Sequence, residues 1–202
     1  FHRANRWLET PGALEPKTNP RVRSGRSFSI PMIRLNVAQC LRESLGWYEA
    51  NVWIDRSIDE IRRFFLSEEH AAVLETVGMD GELIDHYDGR TLNPGHAIEG
   101  AWFILHEAKR RGGDRELVEL GTKMLDWMWH RGWDETHGGM LYFVDVNGLP
   151  VQEYWHDMKF WWPQNETIIA TLLAFQLTED PKYEQWHTQI HDWAHREFPD
   201  PE

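Results

Sequence analysis

The chain has 202 residues, a net charge of −12, and 41% hydrophobic and 27% charged residues, a composition that excludes a disordered chain and is large enough for a substantial core. The acidic balance excludes nucleic acid and anionic membrane surfaces as main partners, since both need Lys and Arg in excess. The longest apolar-rich stretch, residues 168–175, is too short to span a bilayer, and the lone Cys40 excludes an intrachain disulfide and points to a reducing, cytoplasmic compartment.

In chain order, residues 1–28 read as irregular, with Pro11, Pro16 and Pro20 followed by Arg21, Arg23 and Arg26. A helix follows from Pro31, with Ile33, Val37, Leu41 and Leu45 at four-residue spacing, and stops at Gly46. A second covers 51–66 on Ile54, Ile58, Ile61 and Phe65. Val77-Gly78-Met79-Asp80-Gly81 then predicts a hairpin turn. Pro94 opens the next helix, carried by Ile98, Trp102 and Leu105 and ended by Gly112-Gly113. Its successor covers 114–130 on Leu117, Leu120, Met124 and Met128. After a turn at Gly138-Gly139, Val144-Asp145-Val146-Asn147-Gly148 repeats the hairpin pattern. Pro163 opens a helix on Ile169, Leu172, Leu173 and Phe175. The last helix covers 181–197 on Tyr183, Trp186, Ile190 and Trp193.

These elements repeat. The three prolines that open helices, Pro31, Pro94 and Pro163, recur roughly every 65 residues, and the two hairpin patterns keep the same period. The unit is helix, return, helix, hairpin loop, about three times over. Alternate helices then start at one rim, as in an α/α toroid with an inner and an outer ring. A superhelical solenoid is the other arrangement with this period. The expected fold is therefore all-α, one domain over 1–202, with about six helices forming half of an (α/α)6-type ring. The start at Phe1 rather than Met and the loop-like end suggest part of something longer.

Twelve tryptophans and eleven histidines stand out. Trp offers a stacking face and His a proton at neutral pH, the two things a sugar site needs, although a Trp-rich core with surface histidines has the same composition. The sharpest constellation is Asn93-Pro94-Gly95-His96-Ala97-Ile98-Glu99. Asn93 is a helix cap, Pro94 a first helical residue, and Gly95 permits close approach. His96 and Glu99 share a face away from the Ile98, Trp102 and Leu105 stripe. The helix N-terminus is expected to lower the His96 pKa and keep a neutral base. A second constellation, His156-Asp157-Met158-Lys159-Phe160-Trp161-Trp162-Pro163-Gln164-Asn165-Glu166, offers stacking rings and puts Gln164, Asn165 and Glu166 at the same rim. The competing reading makes the tryptophans core and Glu166 a first-turn carboxylate. His187, His191 and His195 lie at four-residue spacing on the last helix. Two such histidines can chelate zinc, but no further ligand motif accompanies them and the helix is expected to be an outer one, so no metal is assigned.

These segments, with Gly138-Gly139-Met140-Leu141-Tyr142-Phe143-Val144-Asp145, resemble the N-acylglucosamine 2-epimerase family over nearly the whole chain, matching the middle and later part of a family length about twice this one. The resemblance implies an (α/α)6 barrel and epimerisation of a small-molecule sugar next to its carbonyl, without cofactor, by two acid/base groups. It makes His96 one of them. It makes Glu99 its orienting partner or a hydroxyl ligand, Trp162 a stacking ring and Glu166 a hydroxyl-binding carboxylate. The family's second histidine falls in a motif this chain does not contain. A mannose-type aldose–ketose isomerase or an oligosaccharide 2-epimerase would share these residues, and a homodimer is compatible with them. A non-catalytic sugar-binding module is the reading from a different class. A glycoside-cleaving toroid would use Glu99 and Glu166 as its carboxylates and leave His96 without a role.

Overall fold

The computed structural model describes residues 1–10, 13 and 25–199. Its elements are α1 (His2–Glu9), β1 (Arg26–Ser27), α2 (Ser29–Leu45), α3 (Ala50–Phe64), β2 (Leu66–Ser67), β3 (Ala72–Val73) and β4 (Thr76–Val77). They continue with α4 (Tyr87–Arg90), β5 (Thr91–Leu92), α5 (Pro94–Arg110), α6 (Arg115–Gly132), β6 (Val144–Asp145), α7 (Trp161–Thr178) and α8 (Pro181–Glu197).

Three antiparallel helix pairs carry the fold: α2 on α3, α5 on α6, and α7 on α8. The first helix of each pair also packs on its neighbour, α2 on α5 and α5 on α7, so these three form an inner row and α3, α6 and α8 an outer one. The mean hydropathy pattern explains the division. The outer helices bury one apolar stripe each, Ile54, Ile58 and Ile61 on α3, and Leu117, Leu120, Met124 and Met128 on α6. Helix α5 buries residues on several sides, including Ile98, Ala101, Phe103, Ile104 and Leu105, because it has neighbours on both flanks.

Local chemistry sets the helix starts. Asn93 accepts from the His96 amide at 3.1 Å, Asp114 from Glu116 and Leu117, and Asp180 from Lys182 at 2.9 Å, with Pro94 and Pro181 in first position. Pro31 and Pro163 instead stand third, behind Ser29-Ile30 and Trp161-Trp162. A missing N–H is tolerated anywhere in the first turn, so proline marks the start only to within a turn. Gly46 closes α2 at φ +63°, the left-handed geometry that glycine adopts without strain.

Two other expectations need correction. Part of the stretch read as irregular is helix α1; Pro11, Pro16, Pro20, Arg21 and Arg23 lie outside the described residues, while Arg26 opens β1. The stripe read on α2 is not its packed face. Ile33, Val37 and Leu45 are exposed, and Met32, Leu35 and Ala38 are buried in its place. Likewise Ile169 and Leu172 on α7 are exposed while Ala170 and Ala174 are buried. An inner helix is apolar on more than one side, and a four-residue period cannot say which side meets a neighbour.

The hairpin patterns also part ways. Asp80-Gly81 makes a local turn, with the Gly78 amide on the Glu82 carbonyl at 2.9 Å and Val77 bridged to Leu83. Asn147-Gly148 turns as well, but β6 pairs antiparallel with β5, Thr91 against Asp145 and Leu92 against Val144, rather than with the next segment. The β5–β6 ribbon therefore sits directly before the start of α5.

At the far end of α5, fully buried Glu107 takes a two-pronged bond from Arg42 of α2, both N···O distances 2.8 Å, and further bonds from Arg111 and Gln39. This closed set ties α2 to α5 and holds the Glu107 carboxyl at about 2: burial pushes it up, and the Arg42, Arg111 and Gln39 donors outweigh that.

Candidate active site

The starts of α5 and α7 lie side by side, and the sequence-predicted residues gather there. His96 is in the first turn of α5, with its amide capped by Asn93. Its ring centroid is 5.4 Å from that of Trp162, tilted by 37°. Tyr142 meets the Trp162 indole edge-on at 6.0 Å. Gly95 explains how the indole comes so close. A Cβ there would lie 2.6 Å from one Trp162 ring carbon, 2.7 Å from another and 3.0 Å from Pro163, so any side chain would push the ring away.

Glu99 and Glu166 complete the wall. The Glu166 carboxylate accepts the Trp102 indole N–H at 2.5 Å. Burial pushes the Glu166 carboxyl up, and that indole bond draws it partly back. Glu99 is pushed up to about 7, first by burial, then by the charge of Glu166, against a lowering by His96. Glu99 is thus close to half-protonated at neutral pH.

The expected lowering of the His96 pKa is overturned. Burial does disfavour the imidazolium, but the hydrogen bond to Glu75 and the charges of Glu75 and Glu99 outweigh it and raise the pKa above the ordinary value. The helix N-terminus is the weaker influence beside a carboxylate in contact. That carboxylate was missed. Glu75 Oε1 lies 3.1 Å from His96 Nδ1, so the orienting hydrogen bond comes from Glu75 rather than Glu99. Glu75 sits between β3 and β4, 21 residues before His96. No local spacing in the sequence links them.

Trp102, which its spacing groups with the core stripe, turns its N–H to Glu166. Gln164, expected at the rim, is fully buried: it takes the Met140 amide at 2.7 Å and gives to the Met140 and Phe160 carbonyls. It ties Met140, in the loop before β6, to the start of α7. Asn165 is exposed. Lys159 pairs with Asp134 at 2.7 Å, which helps to fix the segment leading into α7. On the outer helix α8, His187 bonds back to α7 at Thr171 and Ile168, and the His191 and His195 rings stack at 4.1 Å. Among the described residues, no group of three or more His, Cys, Asp or Glu side chains is placed to hold a metal ion, and no helix is long and apolar enough to cross a membrane.

Comparison with known proteins identifies the family and the fold. Residues 49–202 match the N-acylglucosamine 2-epimerase (GlcNAc 2-epimerase) family. The chain is 36% identical to N-acylglucosamine 2-epimerase of Bos taurus over 204 residues, covering 97% of this chain and 47% of that protein. It is 35% identical to the Homo sapiens protein of the same name over 181 residues, covering 87% and 41%. The chain thus spans about half the length of the curated relatives it matches. The structure of cellobiose 2-epimerase from Bacillus thermoamylovorans B4167 superposes with a TM-score of 0.75 at 18% identity, over 93% of this chain and 46% of that one. That likeness places the three helix pairs as an arc of the (α/α)6 toroid. By family match and by identity along nearly its whole length, the chain belongs to the N-acylglucosamine 2-epimerase family.

Proposed function

We propose that the protein is a sugar 2-epimerase that interconverts an N-acylglucosamine and an N-acylmannosamine by proton transfer at C2, with His96 as one general acid/base. The observation that carries this reading is the wall itself: one oriented imidazole, one stacking indole and two carboxyl groups of raised pKa on adjoining helix starts. The sugar opens to its carbonyl form and lies against Trp162. His96 Nε2 takes the proton from C2, and the electron pair of that C–H bond moves onto the carbonyl oxygen to give an enediolate. The N-terminus of α5 favours the negative charge that develops there. Glu99 and Glu166 hold hydroxyl groups, Glu99 in part as a donor because its pKa is near neutral. A proton returned to the opposite face of C2 completes epimerisation. One imidazole on one wall reaches one face, so a second acid/base group must stand opposite, and the resemblance puts a histidine there in sequence that this chain does not span.

An aldose–ketose isomerase is the nearest second reading. It is favoured by a relative named mannose-6-phosphate isomerase from Rhizobium meliloti (strain 1021), 30% identical over 54% of this chain and 30% of that one. The same wall would return the proton to C1. The exposed, unpaired Cys40 fits a reducing cytoplasm, and the charge of −12 fits a neutral small-molecule substrate. The test is to incubate the whole-length protein with N-acetylglucosamine in heavy water and read the products by NMR. An N-acetylmannosamine carrying deuterium at C2 supports the proposal. A ketose supports the isomerase. Binding without exchange supports a non-catalytic sugar-binding module.

A further inference from the structure

We infer that Glu75 is a positioning residue for His96, accepting the Nδ1–H so that the neutral ring presents an unprotonated Nε2 to the sugar. The inference rests on the proposed acid/base role of His96 for its consequence, but not for its geometry.

Three observations lead to it. The first is the contact, Nδ1 to Oε1 at 3.1 Å, with both side chains only partly exposed. A carboxylate is acceptor-only when ionised, so a neutral His96 in this contact must carry its proton on Nδ1. The second is that the ring is held from both of its attachments. Asn93 caps its backbone amide, and Glu75 fixes its side chain. The third is that Glu75 stands on a braced segment. Its own carbonyl accepts the Phe28 amide at 2.9 Å, the preceding Leu74 amide bonds to Phe65 at 2.8 Å, and the following Thr76 and Val77 pair with β1. Phe28 and Phe65 are themselves fully buried and in edge contact. The carboxylate is therefore carried on core-anchored backbone rather than on a free loop.

The other charged group acting on His96 is Glu99, from α5 itself; Glu166 of α7 acts on Glu99, and the α7 side chain against the ring, Trp162, is uncharged. Glu75 is the one of these with a hydrogen bond to the imidazole, and only it can choose the tautomer. A carboxylate behind an imidazole also stabilises the imidazolium that forms when Nε2 takes a proton, as in other His-carboxylate pairs. The balance of the step is unchanged: one proton leaves C2 for Nε2, and the Nδ1 proton stays shared with Glu75.

The test is NMR of the imidazole nitrogens in the whole-length protein labelled on histidine, with the His96 signal assigned by its loss in His96→Gln. Native protein, Glu75→Gln, Glu75→Ala and Glu99→Gln are titrated. The inference expects the native neutral ring to be protonated at Nδ1. Glu75→Gln should keep that tautomer, because its amide oxygen still accepts, but lower the His96 pKa. Glu75→Ala should lose both. Glu99→Gln should lower the pKa and leave the tautomer alone. A native ring protonated at Nε2, or a His96 pKa unmoved by Glu75→Gln in a folded chain, overturns it. The companion measurement is kcat of the whole-length protein, expected to fall about 10- to 100-fold in Glu75→Ala, with Glu75→Gln intermediate. If the NMR result holds and the native protein shows no turnover, the positioning stands and the epimerase reading falls.

Discussion

Gly95→Ala offers a separation of site geometry from stability. The added methyl would sit 2.6 and 2.7 Å from two Trp162 ring carbons, whereas carbon–carbon contacts settle near about 3.5–4.0 Å. The indole must therefore retreat by about 1 Å or α5 and α7 must part by a similar amount. Overpacking of this kind costs about 1–3 kcal/mol, while replacing a helical glycine by alanine returns roughly 1 kcal/mol. The net loss of stability is then small, about 0–2 kcal/mol. The effect on turnover is expected to be larger, about 100-fold, because a stacking ring displaced by 1 Å misplaces the sugar against His96 Nε2. Gly121→Ala is the control. Its Cβ would meet Leu105 Cγ at 2.6 Å, a clash of the same size between α5 and α6, but far from the indole. Urea unfolding and C2 deuterium exchange are measured on both variants. Gly95→Ala should lose exchange out of proportion to stability, and Gly121→Ala should lose stability alone. Equal exchange in the two variants would refute the placement of Trp162 as the sugar platform.

Glu99→Gln should make the protein more stable above neutral pH and less active. The native carboxyl is raised from 4.5 to about 7, so its penalty on folding is absent below pH 4.5 and complete above about 7; allowing for its partial exposure this is about 1–2 kcal/mol, read from unfolding at pH 5 and pH 8. Arg42→Leu should destabilise by about 3 kcal/mol at pH 7, since it leaves buried Glu107 short of its two-pronged partner. Glu107 is depressed to about 2, so its stabilisation is present above pH 4.5 and lost between 4.5 and 2, and the acid-unfolding midpoint of Arg42→Leu should move up in pH. Trp102→Phe removes the donor on Glu166; the Glu166 pKa should rise further and KM should increase several-fold with little change in folding, as steady-state kinetics and circular dichroism would show.

The helix pairs were legible because their signals are local. Asn93, Asp114 and Asp180 cap where a capping residue precedes an apolar period, and Gly46 stops α2 where a left-handed residue is needed. The His96, Glu99, Trp162 and Glu166 set was legible for a related reason: each lies in the first two turns of an inner helix, and the repeat brings those turns to one rim. What the sequence hid is non-local. The ring of His96 answers to Glu75, Glu166 to Trp102 across 64 residues, and β6 to β5 across a whole helix pair. Pattern also fails where a helix is apolar on two sides, as on α2, where the exposed Ile33 and Val37 have the same spacing as a core stripe.

The central claim is that His96 moves the C2 proton, and its most direct measurement is deuterium entry at C2 of N-acetylglucosamine in heavy water, native whole-length protein against His96→Ala. The account predicts exchange in the native protein and a loss of about 100- to 10,000-fold in the variant at unchanged folding. Exchange at the native rate in His96→Ala would contradict it.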